Sequence, residues 1–160
     1  MISVLSLRNI SQVEIVRVAE IEAIDHLTVE SLSQGFRFVD RLVKEYRCGH
    51  NRFKRSGEIL LTAMFEEKAI AICGLNQDPY SNSPVIGRLR HLYVELSWRR
   101  FGVGRLLVSR IINEANKHYE MLTLRTDASE ADRFYQALGF KTNLLMPQTT
   151  HYLELNIYKQ

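Results

Sequence analysis

Apolar and polar positions change rhythm several times along these 160 residues, and each change marks an element. "VEIVRVAEI" (13–21) alternates and is rich in β-branched side chains, which predicts a first strand. "DHLTVESLSQGFRFVDRLVKEY" (25–46) switches to helical spacing and breaks at Gly35, which predicts two short helices. "GEILLTAMFEEKAIAICGL" (57–75) holds two apolar runs around Glu66-Glu67-Lys68 and reads as a hairpin. A polar loop with Pro79 and Pro84 follows (76–84), then a strand over 85–94. Leu107, Val108, Ile111, Ile112 and Ala115 form one stripe of a helix over 103–118. "MLTLRT" (121–126) is a further strand. Asp127 and Glu130 have the spacing of a capping box for a helix that buries Ala131, Phe134, Tyr135 and Leu138 and stops at Gly139. A last strand is expected at 150–158. Helices alternate with strands in the second half, and a hairpin sits in the first. The pattern predicts a mixed sheet covered by helices on both faces, an α/β fold of the α+β type.

Composition narrows the classes. The length argues for a single domain over 1–160. A chain that is 46% hydrophobic and 24% charged is ordinary for a soluble globular protein. The two cysteines, Cys48 and Cys73, lack metal-site spacing, so neither a disulfide scaffold nor a metal centre is expected, and a reducing cytoplasm fits. No apolar run approaches the ~20 residues of a membrane span. "MISVLSLRNISQ" lacks the charged-then-apolar order of a secretory signal. A net charge of +3 suits an anionic ligand and is too weak to argue for nucleic acid alone.

The candidate chemistry lies in "WRRFGVGRLL" (98–107). Two glycines open the predicted helix, at a cost of roughly 1 kcal/mol each against alanine. Helix starts offer free N–H groups and a partial positive charge, and glycine lets an anion come close to them. Arg99, Arg100 and Arg105 surround the same turn. No GK[ST] follows, so this is not a Walker loop. Leu107 fills the third glycine position of a dinucleotide fingerprint. The alternative is a glycine-containing turn whose arginines face water.

Arg99-Arg100-Phe101-Gly102-Val103-Gly104 matches the R/Q-x-x-G-x-G/A signature of the GCN5-related N-acetyltransferases, the GNAT family. "LRHLYV" before it resembles the family's fourth strand, and "ADRFYQALGF" (131–140) its last helix motif. The resemblance covers 58–158 by motif and 13–57 by pattern only. It implies a mostly antiparallel central sheet with splayed fourth and fifth strands. It implies that acetyl-CoA, as co-substrate, binds over 58–160, with its pyrophosphate at Arg99, Arg100, Phe101, Gly102, Val103, Gly104 and Arg105. Pantetheine would pair with backbone at Leu92, Tyr93 and Val94. The acceptor side would be 1–57, with the acceptor itself against 25–46. Leu96 stands where the family often has proline, and Ala128 where it often has a cofactor-contacting asparagine; Asp127 or Ser129 is a possible replacement for that contact.

Acetyl transfer to an amine needs a neutral amine, a donor for the developing oxyanion and a proton for the departing thiolate. Tyr135 matches the family tyrosine near the sulfur; on the buried stripe it also reads as packing. His91 and Glu95 are candidate bases, with water a further one. Arg88 and Arg90 are read as receivers of an acceptor carboxylate or as partners of acids. Glu22, Asp25 and Glu30 are read as receivers of an acceptor amine or as solvated helix charges. The acceptor is a small-molecule or peptide amine, with no nucleic-acid or membrane partner and a monomer or homodimer as the assembly. Two rival classes remain: a module that holds CoA without turnover, and a nucleic-acid-binding domain using "RCGHNRFKR" (47–55).

Overall fold

A computed structural model describes residues 9–155. Six strands form one mixed sheet in sequence order: β1 (Glu14–Arg17), β2 (Ile59–Phe65), β3 (Lys68–Gln77), β4 (Ile86–Val94), β5 (Met121–Leu124) and β6 (His151–Glu154). Four helices accompany it: α1 (Asp25–Ser33), α2 (Phe38–Cys48), α3 (Val103–Asn116) and α4 (Ser129–Ala137). β1 runs antiparallel to β2, and β6 antiparallel to β5. β4 and β5 are parallel over three residue pairs, Ile86↔Met121 to Arg88↔Thr123, and β4 runs on to Val94. The expected mixed, mostly antiparallel sheet is what the chain forms.

Two compact units emerge from the contacts, and both β3 and β4 pass from one to the other. The first comprises residues up to Arg52, Leu60–Cys73 and His91–Val108. Its core gathers Ile24, Leu27, Val39, Leu42, Leu61, Ile70 and Leu107. His26 donates from Nε2 to the carbonyl of Ala69 (2.6 Å), which ties α1 to β3. The hairpin turn is Glu66-Glu67, both at positive φ, in the two-residue geometry that matches strand twist. The second unit comprises Phe53–Ile59, Gly74–Arg90 and Ser109 onward. Ile111, Leu122 and Leu124 are buried in it, and so is Tyr119, whose hydroxyl donates to the carbonyl of Gly57 (2.8 Å).

Several expectations need correction. The first strand stops at Arg17, and the chain enters a 3-10 turn at Ile21–Ile24. Ile21 and Ile24 are buried three residues apart, so the same apolar residues fit a helical turn as well as an alternation. No capping box forms at Asp127. Ala128 is the N-cap, without a side-chain bond, and Asp127 lies 3.9 Å from Arg125 instead. Of the predicted α4 stripe only Tyr135 is buried, with Ala131, Phe134 and Leu138 partly exposed. Gly139 does end that helix, at φ +98°: its N–H reaches Gln136 and the Phe140 N–H reaches Tyr135, the two bonds of a Schellman stop. α3 ends at Asn116 rather than 118 and β5 at Leu124 rather than 126. β6 covers His151–Glu154, and 156–158 of the expected last strand lie outside the described residues. So do residues 1–8 of the segment read for a secretory signal.

Candidate active site

β4 carries the first of the candidate residues. His91 sits in it at φ +61°, a left-handed residue inside an extended run, which is the signature of a bulge. The strand pairing resumes and reaches Glu95, whose N–H donates to the carbonyl of Ile70 (2.8 Å). Glu95 is mostly buried. Its Oε1 accepts from Lys68 (2.9 Å), and Oε2 is buried with no hydrogen-bond partner among the described residues. A buried carboxylate oxygen without a partner carries a desolvation cost.

The loop that follows is shaped by aromatic packing and two positive φ values. Trp98 is buried between Phe65 (ring centroids 4.7 Å apart) and Phe101 (6.0 Å). Arg100 (φ +68°) and Gly102 (φ +85°) turn the chain into α3. The Gly102 carbonyl accepts from the Leu106 N–H (3.0 Å), which makes Gly102 the cap residue. The N–H groups of Val103, Gly104 and Arg105 therefore occupy the first turn, where no intrahelical acceptor exists. Arg100 and Arg105 are exposed beside them. Free amides, a helix dipole and two cations in one turn fit a pyrophosphate.

Arg99, also exposed, has partners within the protein. Its Nε donates to the carbonyl of Val94 (3.0 Å), its Nη2 to Oε1 of Gln34 (3.1 Å), and its guanidinium lies 5.3 Å from the ring centre of Tyr93. Gln34 Nε2 donates to the Tyr93 hydroxyl (2.7 Å), which donates to Oε1 of Glu30 (2.6 Å). The same oxygen accepts from the Leu96 N–H (2.8 Å). Burial, and then the bond to Glu30, push the Tyr93 phenol up to about 12. Glu30, read from sequence as a receiver of the acceptor amine, thus spends Oε1 inside the protein. Glu22 and Asp25 are exposed and lie within 4.0 Å of Arg47.

The second unit holds Tyr135. Its ring packs against Phe134 (5.1 Å), Phe140 (5.4 Å) and His151 (6.0 Å). His151 is buried and bonded through Nε2 to Asp132 (2.7 Å). Bonds from Gln136 first and His151 second hold the Asp132 carboxyl below its ordinary value. In the same unit Arg88 is not presented to solvent. It is 5% exposed, its Nη1 lies 3.5 Å from Oδ2 of Asp78, and it also donates to Thr149 and to the carbonyl of Gln148. Burial lowers its pKa while Asp78 opposes the shift. Thr123 donates to the same Asp78 oxygen (2.7 Å). The reading of Arg88 as a partner of an acid is the one the geometry supports.

In "RCGHNRFKR", Arg52 folds back to donate to the carbonyl of Tyr46 (3.1 Å) at the end of α2, and Phe53 is 1% exposed. Among the described residues no cluster of three or more His, Cys, Asp or Glu has metal-holding geometry, and no helix is long and apolar enough to cross a membrane. The residues that sequence reading missed are Gln34 and Lys68. Leu96 was the available signal for the α1 contacts: a residue with an N–H, where the GNAT pattern often has proline, needs an acceptor.

Comparison with known proteins bears on the fold and the family. The model of the acetyltransferase (GNAT) domain matches residues 56–142. No curated protein matches the chain by sequence. A crystal structure from Exiguobacterium sp. 255-15, assigned as an acetyltransferase, is 30% identical with a TM-score of 0.79, over 89% of this chain and 93% of that one. A GNAT acetyltransferase from Staphylococcus aureus Mu50 has a TM-score of 0.72 at 15% identity, over 90% and 99% of the two chains. An acetyltransferase structure from Salmonella typhimurium, determined with its cofactor acetyl-CoA, has a TM-score of 0.70 at 17% identity, over 93% and 97%. The last two show a shared fold. The domain match over more than half of the chain, and the 30% identity across nearly all of it, show descent as well: this chain belongs to the GNAT family of acetyltransferases.

Proposed function

We propose that the protein moves the acetyl group of acetyl-CoA to the primary amine of a small molecule or peptide by direct attack, in the cytoplasm. The observation that carries this reading is the first turn of α3, where Gly102 is the cap, the Val103, Gly104 and Arg105 amides have no intrahelical acceptor, and Arg100 and Arg105 are exposed. Bound there, acetyl-CoA supplies an already activated thioester. Backbone groups of Leu92, Tyr93 and Val94 hold the pantetheine arm and polarise the carbonyl. The Val94 carbonyl already accepts from Arg99, so its second lone pair is the one left for the arm.

The amine must lose a proton before it attacks. Glu95 suits the task, because Oε2 is buried without a hydrogen-bond partner at the end of β4. His91, on the bulge, is the alternative base. The neutral nitrogen bonds to the carbonyl carbon, the carbon–sulfur bond breaks, and sulfur leaves as the thiol with a proton from Tyr135. The proton shed by the acylated nitrogen returns through solvent to the Tyr135 phenolate. The cysteine count and spacing, with neither a disulfide-scaffold nor a metal-site pattern, fit a reducing compartment.

The test is consumption of acetyl-CoA against a pooled panel of primary amines, deconvoluted by mass. An N-acetylated product is expected. Tight CoA binding with no product from any amine would support a non-catalytic CoA module instead. Gly104→Val places a branched side chain at the first turn and should weaken CoA binding at least tenfold with the fold intact. Equal calorimetric affinity in wild type and variant refutes the site.

A further inference from the structure

Leu96 opens the short turn between β4 and the glycine loop, and its N–H has no acceptor within its own turn. Helix α1 provides one from 66 residues away: Oε1 of Glu30 accepts from Leu96 N–H and from the Tyr93 hydroxyl together. One helical turn further along α1 stands Gln34, at the helix C-cap. Both ends of its amide are used, donating to the Tyr93 hydroxyl and accepting from Arg99. Arg99 completes the ring by bonding the Val94 carbonyl and lying over Tyr93. In the stretch from Tyr93 to Arg99, Glu30 and Gln34 thereby hold the Leu96 N–H, the Tyr93 hydroxyl and the Arg99 guanidinium. Neither Glu30 nor Gln34 is needed to explain the packing of α1, which buries Leu27 and Ser31.

We propose that Glu30 and Gln34 are positioning residues for the coenzyme loop, acting on CoA affinity through Leu96, Tyr93 and Arg99 without touching the coenzyme. The inference rests on the coenzyme site assigned above. Its physical basis is preorganisation. A loop already held in its binding shape loses less freedom when the anion arrives, and so binds more tightly. Arg99 belongs to this brace, since its guanidinium is committed to Val94, Gln34 and Tyr93. The same network also joins the loop to the helix expected on the acceptor side, so the two substrates should bind with mutual dependence.

The experiment is calorimetric titration with CoA, beside steady-state kinetics on whichever amine is turned over. Gln34→Ala should raise the CoA dissociation constant and the acetyl-CoA KM about tenfold, with kcat changed less than twofold and the melting temperature nearly kept. A residue that only supports the fold would lower the melting temperature without that split. Glu30→Ala should weaken CoA similarly. Glu30→Gln keeps an oxygen where both bonds converge and should recover most of the affinity. Adding Gln34→Ala to Arg99→Ala should cost little more, because the two side chains act as one unit. Unchanged CoA affinity in both alanine variants, or independent multiplication of the Gln34 and Arg99 effects, overturns the positioning role alone. Failure of the wild-type protein to bind CoA overturns the coenzyme site, and this role with it.

Discussion

The ring of Tyr119 lies against the bare α-carbon of Gly87, so close that a Cβ at Gly87 would stand 2.5 Å from Cδ2 and 2.8 Å from Cε2. The opposite end of the ring meets Gly57, whose carbonyl takes the hydroxyl proton and where a Cβ would stand 2.6 Å from that oxygen. Tyr119 is therefore clamped between two glycines and has nowhere to retreat. Gly87→Ala should destabilise the protein by about 1–3 kcal/mol through overpacking. Gly87→Ala should cost less in a Tyr119→Leu background than in wild type. Denaturant melts of the four proteins check this, and simple additivity would show that the ring can move.

Tyr93 and Tyr119 both have their phenols pushed up to about 12, Tyr93 by burial and Glu30, Tyr119 by burial and the charge of Glu58. The unfolded phenol ionises near 10. Below about pH 10 both states keep the proton and the contribution to stability is complete. Between about pH 10 and about pH 12 only the unfolded chain ionises, so stability should fall with rising pH and be lost through the folded value. Alkaline unfolding followed by circular dichroism should show this window, and Tyr93→Phe with Tyr119→Phe should flatten it. A double variant with the same alkaline slope as wild type would sink the assignment.

Arg88 and Asp78 form a buried pair with Thr123 and the carbonyl of Gln148 around them. Arg88→Met should cost about 3 kcal/mol or more, because it leaves the Asp78 carboxylate buried without its cation. Arg88→Met combined with Asp78→Asn should recover part of the loss. The measure is the melting temperature of the two variants beside wild type. An Arg88→Met protein that melts like wild type but has a raised acceptor KM would instead restore the reading of Arg88 as a carboxylate receiver.

Tyr135→Phe tests the proton donor. Phenylalanine keeps the ring against Phe134, Phe140 and His151 and removes only the hydroxyl. General acid help is worth roughly 10²–10⁴-fold. Turnover should fall by that order, with CoA affinity and melting temperature nearly unchanged. Turnover within a factor of two of wild type, with chemistry rate-limiting, would make Tyr135 a packing residue.

What could be read from the chain alone is what neighbours in sequence decide. The break at Gly35, the hairpin around Glu66-Glu67, the glycines opening α3 and the stop at Gly139 all depend on backbone freedom or spacing within a few residues. The order of strands and helices followed from the same local periods, and the loop signature identified the family. Tertiary structure decided the partners. Arg88 found Asp78 rather than solvent, Glu30 found Tyr93 and Leu96 across 63 and 66 residues, and Ala128 displaced Asp127 as the cap of α4. No local pattern encodes these choices. A charged side chain such as Glu30 or Arg88 has many partners compatible with its sequence neighbours. Only closure of the chain fixes which donor it meets in a place dry enough for the bond to matter.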